Sequence, residues 1–401
     1  MSFQRSRAAV AVLFFTLGFQ YSTWAARLPA LTDRLGMSAA QVGVLLLAAG
    51  VGALISFPLV ARLLTSYGSR RLAVAAALVL VAALAGLAVA PTFGVAVAVV
   101  LVDGIAVGCL NVAMNAQGAA LEAAFERTTM AKLHALFSGG IFSAALLASG
   151  MTAVTGSVAA HFAVAGALLL TLVLTARSAL LTHDLPGDPA KPAGRRWRLP
   201  AAVTVGLGLA MLLATVTEGA MTDWSALYLR EVTRAADYLL PLGIAVTSAA
   251  MVVGRLFADG WRDRWGDKPV LLAGATFAGL GLAVALLTGG VVPALVGFAC
   301  VGLGMAPVSP CLYVAAARQG PAALTVAAAM GTAGLLIGPP AIGFVAEGTS
   351  LVWGMAAVVG TAWLAALCVL PVRFTSGVTS PAPPAPSATP PAGTAPADSA
   401  R

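Results

Sequence analysis

Residues 72–90, LAVAAALVLVAALAGLAVA, are followed after Pro91-Thr92 by residues 93–118, FGVAVAVVLVDGIAVGCLNVAMNAQG. These two long apolar runs, parted by a two-residue break, hold a single charged side chain, Asp103. A helix of about 20 apolar residues crosses the ~30 Å hydrocarbon layer of a bilayer. Within that layer only helices and closed barrels satisfy their own backbone, and these runs lack the alternation of barrel strands. The pair predicts two membrane-crossing helices. Working outward, runs of the same kind occupy 8–28, 40–64, 134–155, 157–177, 200–226, 238–258, 269–288, 291–315, 322–346 and 349–372. The expected fold is an all-α membrane protein with twelve transmembrane helices, numbered here as spans 1 to 12 in chain order.

Composition agrees. Of 401 residues, 60% are hydrophobic and 9% are charged, against about 25% charged in soluble domains, so no ordinary water-facing surface can be built. The four cysteines, Cys109, Cys300, Cys311 and Cys368, lie inside apolar runs without metal-type spacing and read as small buried or lipid-facing side chains. Arg5 and Arg7 before Ala8–Phe19 imitate a signal peptide, but polar and aromatic residues continue through Gln20–Trp24 and further spans follow. An uncleaved first helix is expected.

The longest polar break divides the spans six and six. The expected organisation is an amino-terminal six-helix bundle (1–180) and a basic linker (181–199) holding Lys191, Arg195, Arg196 and Arg198. A second six-helix bundle (200–373) and a disordered Pro/Ala-rich tail (374–401) follow. With both termini in the cytoplasm, Arg5, Arg7, Arg70, Arg71, Arg177, the linker cluster, Arg262, Arg264 and Lys268 all fall inside. Only Arg27, Arg34, Arg230 and Arg234 fall outside, the bias that the positive-inside rule demands. The expected location is the inner or plasma membrane.

The halves echo one another. Tyr67-Gly68-Ser69-Arg70 matches Trp265-Gly266-Asp267-Lys268 at a shift of 198, and the same shift carries Gly104 onto Gly302. Thr23-Trp24-Ala25-Ala26 echoes Asp223-Trp224-Ser225-Ala226 at a shift of 200. A duplicated six-helix unit is the layout in which transporters place a substrate site between halves.

On these residues the chain, over about 5–373, resembles the major facilitator superfamily. Asp263-Arg264-Trp265-Gly266-Asp267-Lys268 is similar to the family's cytoplasmic loop pattern, with Asp259 where its first Gly would stand. The first copy keeps Gly68 and Arg70 but has Thr65-Ser66 at the Asp-Arg positions. Thr23–Pro29, Asn111–Gly118 and Glu218 followed by Asp223-Trp224 resemble the MosC-like branch. The resemblance implies two pseudo-symmetric six-helix bundles that rock about a central cavity lined by spans 1, 4, 7 and 10. Val100 replaces an arginine common in proton-linked members, and span 5 lacks the Gly-Pro motif of drug/proton antiporters. Both departures count against multidrug exchange.

Ionisable side chains at membrane depth are functional candidates because they are costly there. Asp103 lies near the midplane of span 4 and is either a proton- or substrate-binding carboxylate or a structural one held between helices. Gly104, Gly108, Asn111 and Asn115 share one stripe of that helix, suited to the cavity or to close helix approach. Glu218 is placed in the outer third of span 7, as a carboxylate of the transport path or the partner of an external arginine. Asp223 and Trp224 read as gate or interface anchors. Gln20, Tyr21 and Trp24 of span 1 suit a ring-shaped polar solute, with an aromatic belt as the plainer reading of Trp24. Ser309 and Tyr313 form a similar pair in span 10. Arg255 and Asp259, four apart, are expected to pair near the cytoplasmic end of span 8.

Gly68, Arg70, Arg255, Asp259, Asp263, Arg264 and Gly266 form the candidate cytoplasmic gate. Asp263 is expected to meet the free N–H groups that begin span 5, near Lys132–Ser138, and latch the halves there. His134, His161 and His183 form no constellation; His134, at the start of span 5, is either a pH sensor or a structural residue.

The expected function is secondary active transport of a small polar solute, sugar- or polyol-like, by alternating access. Proton coupling through Glu218 or Asp103 is one option, and efflux of amphipathic drugs or metabolites is the alternative. An intramembrane enzyme is the distant alternative, since H-E-x-x-H, a phosphate loop and a Cys/His cluster are all missing. Expected partners are the solute and the bilayer, with no cofactor, no metal, no nucleic acid, and a monomeric state.

Overall fold

The computed structural model describes residues 2–126, 129–182, 202–319 and 321–372. The basic cluster of the expected linker, His183 and the Pro/Ala-rich tail lie outside the described residues. The described residues hold twelve helices long and apolar enough to cross a membrane. Spans 1 to 6 are Phe3–Ala25, Ala39–Val60, Arg62–Val89, Phe93–Phe125, Lys132–Val154 and Val158–Ala179. Spans 7 to 12 are Ala202–Glu231, Asp237–Ala258, Asp267–Thr288, Val291–Ala316, Val326–Gly348 and Leu351–Val369. Twelve crossings put the beginning of span 1 and the end of span 12 on one face, called here the termini face; the other is the far face.

Several helices depart from the boundaries expected of them, among them span 4, which runs on to Phe125 rather than stopping at 118. Span 1 ends at Ala25, and after Ala26-Arg27 a short helix, Leu28–Leu35, carries Pro29 in its first turn and ends at Gly36 in the left-handed region. Proline suits a helix start and glycine its end. Span 7 runs on to Glu231 rather than stopping at 226. Span 10 is two helices, Val291–Met305 and Val308–Gln319. Pro307 and Pro310 flank the restart, and neither can donate a backbone N–H, so the ladder opens there.

The duplication is visible atom by atom. Gly68 turns the chain between spans 2 and 3 with φ 75° and ψ 161°, and Gly266 turns it between spans 8 and 9 with φ 83° and ψ 158°. That region of backbone space is essentially restricted to glycine. A Cβ on Gly104 would run into the carbonyl oxygen of Ala49; one on Gly302 would run into that of Thr247, and both partners are related by the shift of 198. One contact is mirrored with the small residue exchanged. Gly108 leaves room for Ser56 in the first half, whereas Gly254 leaves room for Ala306 in the second. Spans 1 and 5 pack together in one half as spans 7 and 11 do in the other.

Contacts between the halves run from mid-depth to the far face. Span 2 meets span 11 where Gly43 approaches Pro340 and Gly343, and where Gly50 approaches Leu336. Span 5 meets span 8 through a small apolar cluster of Ala25, Ala26, Ala145, Ala148, Ile244 and Ala245. Glu347 of span 11 accepts from the N–H of Ala40 at the start of span 2 (3.3 Å), a cap supplied across the halves. The halves are thus closed together at the far face, while Asn111, Arg255 and Tyr313 stay exposed nearer the termini face, and the space they border is called here the cleft.

Candidate functional site

Four layers of side chains close and line the cleft, going inward from the far face. Outermost, Arg230 of span 7 reaches the short helix after span 1, pairing with Asp33 (2.7 Å) and donating to the carbonyl oxygen of Pro29. Beneath it lie Trp24 and Trp224, both fully buried, with Trp224 against Gly343. Neither forms an interfacial belt, because their rings are enclosed by the far-face closure instead of lying at the lipid headgroups.

The third layer is two buried polar pairs. Tyr21 donates its hydroxyl to Asp223 (2.5 Å), a bond from span 1 to span 7 and so between the halves. Tyr21 also meets Trp24 edge-on at 5.8 Å between ring centroids. Beside it Gln20 donates its amide to Asp103 Oδ1 (2.6 Å), and the other carboxylate oxygen, Oδ2, has no partner. Asp103 is 1% exposed. A buried polar atom left unpaired is costly, so this position is held by something other than local convenience.

The fourth layer faces the open part of the cleft. Ser309, just past the break in span 10, donates to Glu218 Oε1 (2.6 Å). Arg255 Nη2 stands 3.8 Å from Glu218 Oε2, too long for a hydrogen bond, and Arg255 Nη1 donates to Ser138 of span 5 (3.2 Å). Tyr313, 40% exposed, stands one turn beyond Ser309. Four spans from both halves thus converge on one charge pair that retains unused donors and acceptors.

These positions correct two expectations. Glu218 lies 13 residues before the end of span 7, roughly 20 Å at 1.5 Å per residue, which is mid-depth rather than the outer third. Its arginine comes from span 8 of its own half and not from the outer loops. Arg255, expected at the gate beside Asp259, reaches Glu218 and Ser138. The side chain of Asp259 lies outside the described residues.

The glycine and amide stripe of span 4 divides. Gly104 and Gly108 serve close approach to span 2, while Asn111 is exposed and Asn115 bonds back to its carbonyl oxygen (2.8 Å). At the termini face Gly68 and Gly266 form the two turns, Arg70 is half-buried beside the first, and Asp263 and Arg264 are exposed. The N–H groups of Thr129 and Met130, which begin span 5, are both taken by Glu122 Oε1. An Asp263 latch would have to compete with that carboxylate. Gln117 was not singled out by sequence, yet it grips Ser69 (2.6 Å) and exchanges two bonds with Leu181 (2.9 Å each). Among the described residues no group of three His, Cys, Asp or Glu is placed to hold a metal.

Twelve spans, a repeated half and a polar cleft between the repeats define a transmembrane transporter rather than an enzyme. A family model described as Major Facilitator Superfamily matches residues 9–325, and the chain belongs to that superfamily. It is 34% identical over 354 residues to an uncharacterized MFS-type transporter of Yersinia pestis, covering 86% of this chain and 90% of that one. It is 32% identical over 351 residues to membrane protein MosC of Rhizobium meliloti, covering 86% and 84%. Among solved structures a mutant of the nucleoside transporter NupG aligns with TM-score 0.71 at 15% identity, over 91% of this chain and 98% of that one. That likeness speaks for the fold alone.

Proposed function

We propose that this secondary transporter carries a small, uncharged polar solute bearing neighbouring hydroxyl groups, sugar- or polyol-like, bound between Glu218 and Arg255. The observation that carries this reading is the pair itself. Its facing atoms are 3.8 Å apart with no direct hydrogen bond, so an entering hydroxyl can donate to Glu218 Oε2 while its neighbour accepts from Arg255. Ser309 fixes the carboxylate and Ser138 fixes the guanidinium, so neither must be ordered when solute arrives. Tyr313 offers a ring face at the mouth.

Alternating access follows from the layers. Opening the far face breaks the Arg230–Asp33 and Tyr21–Asp223 bonds, while closing the termini face brings together the ends that now stand apart. Asp103, with one oxygen unpartnered, is the proposed proton carrier, and Gln20 holds it in place. The basic residues of the termini face support a cytoplasmic placement of that face, with the protein in the inner or plasma membrane and the cleft opening inward. The two six-helix bundles are the bodies that rock, and Asp263 is retained as a latch for the inward-closed state once Glu122 yields.

Thermal-shift measurements on the purified protein test this against monosaccharides, cyclic polyols, nucleosides and amphipathic cations, since a ligand raises apparent stability by mass action. A polyhydroxylated solute should raise the transition, and Glu218→Gln and Arg255→Gln should each weaken it at least tenfold. A ligand set confined to amphipathic cations, unmoved by either substitution, refutes the reading.

A further inference from the structure

Outside the cleft, the second half carries a cavity of about 650 Å³ that the transport path does not use. Trp261 and Trp265, at the termini-face end of span 8, flank it; Phe277 of span 9 forms a side, and Gly274, Gly304 and Pro307 form its floor. Span 9 packs on spans 8, 10 and 12, so the cavity opens toward hydrocarbon rather than toward the other half.

The residues that line it differ between the two halves. The shift of 198 carries its floor onto Ala76, Ala106 and Cys109, all buried in the first half. It carries the two tryptophans onto Leu63 and Tyr67. Gly274 and Gly304 meet backbone to backbone, a Cβ on either running into the other's carbonyl oxygen, so the cavity lies over a close crossing of spans 9 and 10. The floor is also the break in span 10, two residues before Ser309, so whatever occupies the cavity bears on the helix that positions Glu218.

At its mouth the guanidinium of Arg264 stands over the Trp265 ring, 5.7 Å from the centroid, and Arg264 is exposed. Its neighbours are engaged: Arg262 pairs with Asp267 (2.8 Å), and Lys268 donates to the carbonyl oxygens of Leu370 and Val372. Tryptophans at the end of a span mark the headgroup level, and an exposed arginine there attracts anionic lipid. We propose that this cavity is a binding site for an anionic glycerophospholipid, with one acyl chain against Pro307 and the phosphate at Arg264. The lipid braces the break in span 10.

Native mass spectrometry of the protein titrated with phosphatidylglycerol in detergent tests the site. Wild type should retain one tightly held lipid more than Ala273→Phe, which fills the exposed cavity wall; Leu280→Phe, on the exposed surface of the same span, should match wild type. Arg264→Gln should weaken retention about fivefold, the worth of one arginine near an anionic surface. Equal retention by wild type and Ala273→Phe overturns the proposal. Should Ala273→Phe fail to fold, a phosphatidylglycerol with a photoreactive acyl terminus decides on the wild type. Labelling concentrated at 270–277 and 303–307 supports the site, and labelling spread evenly over the lipid-facing helices overturns it.

Discussion

Arg230 holds the far face shut with two bonds of unequal strength, and separating them gives a sharp test. Its partner Asp33 is 70% exposed, so the ion pair is worth about 0.2–1 kcal/mol after screening. The bond to the Pro29 carbonyl is charge-assisted and comes from a guanidinium only 19% exposed, so it is worth about 1.5–3 kcal/mol before that partial exposure is discounted. Asp33→Asn should therefore shift the balance between far-face-closed and far-face-open states by less than ~5-fold. Arg230→Gln, losing both bonds at about 2 kcal/mol, should shift it ~30-fold toward the open state. Spin labels at Val154 and Ala236, both exposed on the far face, report the separation of the halves by electron–electron distance measurement in a cysteine-free background. Arg230→Gln should add a long-distance population that Asp33→Asn barely shows. If both variants shift the distribution equally, the carbonyl bond carries nothing. If neither does, the closure rests on the Tyr21–Asp223 bond, the Glu347 cap and apolar packing.

Two further outcomes follow from buried contacts. Gly104→Val and Gly302→Val each push a side chain into a backbone carbonyl of the facing helix, so each should lower stability by about 1–3 kcal/mol or more, to a similar extent. Thermal unfolding in detergent measures this, and a variant as stable as wild type denies the close approach. Asp103→Asn keeps an acceptor for Gln20 and should unfold near the wild-type temperature, whereas Gln20→Leu strips Asp103 of its donor at a cost of about 1–3 kcal/mol. In proteoliposomes Asp103→Asn should lose any response to an imposed pH gradient; a preserved response removes Asp103 as the proton carrier.

The fold was legible because the bilayer imposes a crude, one-dimensional code: span length, apolar content and the sides taken by arginines. Glycines 68, 104, 266 and 302 were legible as a repeat because each does a job no other residue can do. Partners across the cleft were not. Asp103 with Gln20, and Tyr21 with Asp223, are 83 and 202 residues apart in sequence, and no periodicity links them. The reach of Arg255 to Glu218 and Ser138 was hidden for the same reason: its helical spacing to Asp259 offers a local partner, and the distant ones have no sequence signature. The break in span 10 did have a signal. Pro307 and Pro310 stand in Ala306-Pro307-Val308-Ser309-Pro310, but the surrounding run is apolar enough to read as one crossing.

The repeat also explains how one folding unit supports two tasks. Shared contacts, such as Gly104 on Ala49 and Gly302 on Thr247, keep the halves alike where helices must cross closely. The differences fall on polar residues. The first half buries a carboxylate under an amide, Asp103 under Gln20, closed to the cleft; the second sets a carboxylate against a guanidinium, Glu218 against Arg255, open to it. At the turns, Gln117 holds Ser69 by neutral bonds, whereas Arg318 holds Asp267 by an ion pair (3.2 Å). The ion pairs at these two places thus lie in the half whose fourth helix is broken. An ion pair open to the cleft is sensitive to the arrival of a polar solute, and a broken helix can shift without unravelling. On the proposed reading, the second half responds to solute and the first holds its shape while that happens.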